Sequence, residues 1–136
     1  MIGRALLALY VVSLVACSGD DVTGPEGVVG TYLLQSVDGQ AVPLVLQQLG
    51  DYRLEFTSRS MTFDQDMTCG DSLMTTETNG YGNNRFTSTT TRVCTYTLNS
   101  GAITISWPSD GGSASGAITD SQLTLTDEGV VSVFRR

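Results

Sequence analysis

The side chains that could do chemistry in this 136-residue chain are few, and the missing ones narrow the choice first. There is no histidine, and all seven basic residues are arginines. That removes the commonest general base, the commonest metal ligand and every lysine Schiff base. The many serines therefore have no activating partner, and Gly112-Ser113-Ala114-Ser115-Gly116 is no nucleophile elbow, since its spacing departs from that motif and no helical pattern follows it. Two carboxylate groupings call for a reading. Asp64, Asp66 and Asp71 could gather round a hard cation, but an EF-hand counted from Asp64 needs Gly and Glu where this chain has Cys69 and Thr75. The segment reads instead as a solvated hairpin tip. Asp127-Glu128 resembles a paired-carboxylate site only until Gly129, which makes the trio a turn. Cys17, Cys69 and Cys94 lack the C-x-x-C spacing of a redox centre, and thiols without histidine cannot complete a zinc site. The expectation is a protein that is not an enzyme and needs no metal or cofactor.

Fourteen acidic residues against seven arginines give a net charge of −7. No basic stripe is available for phosphate, so nucleic acid is not the expected partner. With 40% hydrophobic and 15% charged residues in a chain of this length, one globular core is expected.

The amino-terminal residues carry an address. Arg4 precedes an apolar run from Ala5 to Ala16, about the length of a secretory signal and well short of the ~20 residues that span a bilayer. The run ends in Leu14-Val15-Ala16-Cys17, which resembles the lipobox of bacterial lipoproteins. That resemblance implies a signal peptide over 1–16 and a mature chain beginning at a lipidated Cys17, anchored by its acyl chains. Ser18 follows the cysteine where an aspartate often marks inner-membrane retention, so the implied address is the outer membrane. Residues 17–27 are rich in Gly, Asp and Pro and read as the lipidated cysteine and a flexible tether, about 15 to 20 Å in reach. With Cys17 acylated and the chain exported to an oxidising compartment, Cys69 and Cys94 are left to form a disulfide, whose loop of about 25 residues implies roughly 3 kcal/mol of stabilisation.

The elements that must position these groups are strands. From Val28 the apolar residues recur with period two and turn signals come every 8 to 12 residues, predicting an all-β antiparallel barrel over 28–136 with eight to ten strands. The spacing predicts a first strand at Val29–Val37 closed by Asp38-Gly39. Leu44–Leu49 after Pro43 is either an edge strand or a short helix. Tyr52-Leu54-Phe56 and Met61-Phe63 read as the two strands of a hairpin turning at Ser58-Arg59-Ser60. Threonine-rich Asp71–Arg92 reads as two long strands around Asn79–Asn84, extending beyond the core. Alternation continues through Cys94-Tyr96-Leu98 and Ile103-Ile105-Trp107 to a last strand at Val130–Arg135.

Gly30-Thr31-Tyr32, with Leu34, Asp38-Gly39 and Pro43 behind it, resembles the opening of small lipocalin-like bacterial lipoproteins, with Tyr32 where that family usually has Trp. The resemblance implies a lipocalin-like barrel of about eight strands, and an arginine from the terminal Val133-Phe134-Arg135-Arg136 stacked on the Tyr32 ring. Gly30, Tyr32 and Arg135 form the expected closure set, a cation over a ring contributing about 0.5 to 2 kcal/mol. It also implies a non-catalytic envelope protein that binds a small apolar or amphipathic ligand. The alternative is a side-chain-filled barrel that binds an envelope protein or inhibits a hydrolase. Replacing Cys17→Ser should abolish incorporation of radiolabelled palmitate and leave the uncleaved precursor, seen as a slower band on a denaturing gel.

Overall fold

Alternating apolar residues and two-residue turns build a chain that is almost wholly strand. The structure, a computed structural model, describes residues 25–80 and 84–136. The expected signal at 1–16, Cys17 and most of the expected tether lie outside the described residues. The tether ends in one 3-10 turn at Pro25–Gly27. Ten strands follow: β1 (Gly30–Val37), β2 (Gln40–Ala41), β3 (Leu44–Leu49), β4 (Tyr52–Phe63), β5 (Thr68–Asn79), β6 (Asn84–Asn99), β7 (Ala102–Trp107), β8 (Gly112–Ile118), β9 (Gln122–Asp127) and β10 (Val130–Arg135).

From β4 to β10 each strand pairs antiparallel with the next. β1 pairs with β10 on one side and with β4 on the other, closing eight strands into a barrel. The turns Asp38-Gly39, Ser100-Gly101 and Glu128-Gly129 hold both residues at positive φ, the conformation whose twist matches a tight hairpin. At Gly116 a Cβ would lie 1.8 Å from the Thr124 carbonyl oxygen, so only glycine lets β8 come this close to β9.

Inward residues fill the barrel. Tyr32, Leu34, Met61, Phe63, Tyr96, Ile103, Ile105, Trp107, Ile118, Leu123, Leu125 and Phe134 are all buried. Tyr32, Phe63 and Tyr96 form an edge-to-face chain, with ring centroids 5.7 and 5.1 Å apart. Cys69 and Cys94 lie directly opposite each other on β5 and β6, with Cα atoms 4.8 Å apart, and are joined by a disulfide inside the core.

One open expectation is settled and another changes. Of the two readings of Leu44–Leu49 the edge strand holds, entered through a cis Val42–Pro43 peptide. Residues 52–63 are one twelve-residue strand, not a hairpin. The apolar phase switches from even to odd numbers because a bulge at Thr57 shifts the pairing with β5 between Phe56 and Ser58. Phe56 and Met61 therefore face the same side without any reversal of the chain.

β4, β5 and β6 have 12, 12 and 16 residues, whereas β7 to β10 have 6 or 7. β1 pairs with β4 only from Gly30 to Leu33, and β6 with β7 only from Thr95 to Asn99. Beyond those limits β3 and the upper parts of β4, β5 and β6 stand out as a four-stranded flap. The flap lies at the end of the barrel opposite Gly30, where the tether enters.

Breaking the disulfide with the chain otherwise intact should lower unfolding free energy by about 3 kcal/mol, the loop-closure value for its 25-residue separation. Urea denaturation of the oxidised chain and of the Cys69→Ala/Cys94→Ala double variant measures it.

Candidate functional site

Three features could carry function: the seam between the first and last strands, a charged cluster inside the barrel, and the flap.

The seam uses Gly30 and Tyr32, but Arg136 and not Arg135. Alternation along β10 buries Ser132 and Phe134 and turns Arg135 outward. The next residue then returns to the inner side and places its guanidinium 5.9 Å from the Tyr32 ring centroid. Arg136 also donates to the Val29 and Asp120 carbonyl oxygens, at 2.5 and 3.3 Å. The Tyr32 hydroxyl donates to the Thr119 carbonyl at 3.0 Å. Burial raises the Tyr32 pKa, partly offset by the Arg136 charge, so the ring stays neutral and hydrogen-bonded. Gly30 sits at φ +135, and a Cβ there would stand 3.0 Å from the Arg136 guanidinium nitrogens. Glycine is required both by the backbone and by the arginine above it.

The charged cluster was not singled out from the sequence. Asp71 on β5 is 1% exposed and accepts from Arg59 Nε and Nη2 at 2.7 and 2.8 Å, a bidentate pair, and from Arg92 Nη2 at 2.6 Å. Arg92 Nη1 also reaches Asp110 at 2.8 Å. Both guanidiniums rest on Trp107, Arg92 at 4.7 Å from the ring centroid and Arg59 at 5.9 Å, and Arg59 also lies 5.8 Å from the Phe134 ring. Burial pushes the Asp71 pKa up, but the hydrogen bonds and charges of Arg59 and Arg92 outweigh it and hold the carboxylate below its ordinary value. The cluster thus plugs the barrel with neutralised charge beneath the flap. One sequence signal pointed to it: Arg59, Asp71 and Arg92 share the inward parity of Met61, Cys69 and Cys94. The calcium grouping dissolves accordingly, for Asp71 belongs to the arginines and Asp66 accepts from Thr68 N and Oγ1 in its own turn. Asp127 ends β9, paired with Val130, and Glu128 forms the hairpin turn with Gly129.

The flap has two different faces. One continues the barrel interior and carries Leu44, Leu49, Tyr52, Leu54, Phe56 and, on β6, Phe86, by register, with Glu77 between Leu54 and Phe86 and Thr75 and Ser88 beside Phe56. Leu49 is 73% and Phe86 61% exposed. The other face is polar: Thr57 donates to buried Thr76 at 2.8 Å, and a depression of about 360 Å³ is lined by Arg53, Glu55, Thr78 and Arg85. Exposed rings and aliphatic side chains on one face of an unsupported sheet are the composition of a binding surface.

Comparison with models of known protein families, with curated proteins and with solved structures finds no match to this chain.

The variant Asp71→Asn should lose about 3 kcal/mol at neutral pH, because two guanidiniums then lie inside the barrel without their shared counter-charge. Since the folded carboxylate titrates below the unfolded one, the wild-type contribution is complete above the unfolded value near pH ~3.9. It is lost as pH falls from there through the folded value, and the variant lacks that loss. Urea unfolding across pH 2 to 7 checks both.

Proposed function

We propose that this chain is a non-catalytic lipoprotein of the bacterial cell envelope, held through lipidated Cys17 at the outer membrane. In this reading the barrel is a filled pedestal and the flap is a protein-binding surface. The supporting observation is the Arg59-Asp71-Arg92 cluster stacked on Trp107, which takes up the space beneath the flap that a lipocalin-like carrier would give to its ligand. A binding role then falls to the apolar face that the long strands hold outside the barrel. Histidine and lysine are not there to activate a nucleophile, and nucleic acid has no basic stripe to follow.

The polarity of the barrel fits this assignment. The tether enters beside Gly30, next to Phe63 at the far end of β4, so a lipid at Cys17 would draw that end toward the bilayer and leave the flap facing away from it. A small apolar ligand is the second reading, and it requires the cluster to move.

Photo-crosslinking separates the two in cells making the full chain. A photoreactive side chain in place of Phe86 should yield protein adducts, while the same group in place of Ser115, exposed on the barrel wall, should not. A lipid-sized adduct on the intact chain in native mass spectrometry, with no protein adduct at Phe86, would overturn the flap reading in favour of a ligand carrier.

A further inference from the structure

The flap reading leaves the partner unspecified, and the free edge of β3 specifies it. β3 reads Leu44-Val45-Leu46-Gln47-Gln48-Leu49, carries no charge and is exposed at five of its six residues. It pairs with β4 on one side and ends the sheet on the other. Open edges of this kind are templates for another strand, and natural proteins guard them with charge, proline or a bulge. Here the guards are Pro43 at the entrance and a bulge at Leu46, where pairing with β4 slips between Val45 and Gln47.

That bulge fixes which strand the edge accepts. In a regular strand, residues three or five apart face opposite sides. In β3 the extra residue puts Val45 and Gln48 on one face, opposite Glu55 and Arg53, and Leu44 and Leu49 on the other, opposite Phe56 and Tyr52. An antiparallel copy of β3, centred between Leu46 and Gln47, therefore pairs Val45 with Gln48 and Leu44 with Leu49, face matching face. Without the bulge this register would set the apolar face of one copy against the polar face of the other.

The charges agree with the same register. Arg53 and Glu55 form an ion pair of 2.6 Å along β4. The two-fold axis sets the two copies' ion pairs antiparallel, so each rung ends in Glu55 on one copy and Arg53 on the other, and the dipoles attract. Leu49, the most exposed of the large apolar residues, comes to lie beside Leu44 of the other copy, next to its Phe56.

Resting on the flap as the working surface, we propose that the partner is a second copy of this chain, joined β3 to β3 in that register. The interface is isologous and closes at two copies. Among the described residues the flap's other free edge is the upper part of β6; pairing β3 with it would be head-to-tail and open-ended, and that edge carries Arg85.

Cysteine crosslinking in cells making the full chain tests the register. Copies carrying Val45→Cys and copies carrying Gln48→Cys are produced separately and together, then oxidised mildly, with an intact Cys69–Cys94 bond by mass as the check on folding. Both positions are exposed, so neither substitution disturbs the core. A disulfide-linked band at twice the chain mass is expected only when both variants are present, because like positions on the two copies are offset by two rungs, about 7 Å along the seam, as well as by a strand spacing across it, beyond the ~7 Å Cα separation a disulfide spans. Linkage in either variant alone, a ladder beyond two copies, or no linkage would overturn the proposal. Phe86 photo-adducts to a different protein, with no mixed-variant band, would overturn the pairing and leave the flap as the working surface. Neither adduct nor band would overturn both.

Discussion

The structure depends on a carboxylate that two arginines share inside a closed sheet. A barrel of eight strands has an interior that side chains can fill or that can hold one small ligand. This chain fills its lower part with an aromatic chain from Tyr32 to Tyr96 and its upper part with charge. Asp71 is the counter-charge that the two guanidiniums share, Arg92 having a second one in Asp110, and the two arginines together hold the Asp71 carboxylate below its ordinary pKa. Trp107 supplies the flat floor on which Arg92 and Arg59 rest. Its indole nitrogen finds no protein acceptor among the described residues. A plug of this kind orients as well as fills, since a bidentate pair admits one geometry where an apolar contact admits several.

From that plug the division of labour follows. Below it lie the disulfide and the seam at Tyr32, all close to the tether. Above it the strands keep their pairing but lose the opposite wall, so β3 to β6 continue as a sheet with one apolar face and nothing within the barrel to cover it. The extra length of β4, β5 and β6 is therefore not an extension of the core. It is a second structure, stabilised by the ladder and by the Thr57, Thr76 and Thr87 hydroxyls, and carried on the first.

Much of this was legible in the chain, and the exceptions have local causes. Period-two alternation and Asp-Gly, Ser-Gly and Glu-Gly turns announce the strands and most of their ends. The disulfide follows from counting thiols, on the expectation that Cys17 is acylated and the chain exported. The seam was legible in kind but off by one residue, because the parity that buries Phe134 brings Arg136 and not Arg135 over Tyr32. Residues 52–63 were read as two strands because a bulge and a turn both shift the phase of alternation, and nothing local to Thr57 tells them apart. The buried cluster was visible as three charges at inward positions, yet a single charge at such a position is ordinarily a strand end. Only the register across β4, β5 and β6 shows that all three meet.

The first strand has a place in time as well as in space. β4 to β10 are joined by short turns and can pair in sequence as each emerges, which makes their contacts local and quick to form. β1 has partners on both flanks, and one of them, β10, lies about a hundred residues along the chain. Until it docks, the curled sheet has two bare edges and an uncovered Phe63, and the Arg136 latch has no ring to settle on. The seam between β1 and β10 thus closes the longest loop of the barrel, and it does so at the end where residues 25–29 enter. An attachment to a surface through that end would hold one partner of the closure in a fixed place.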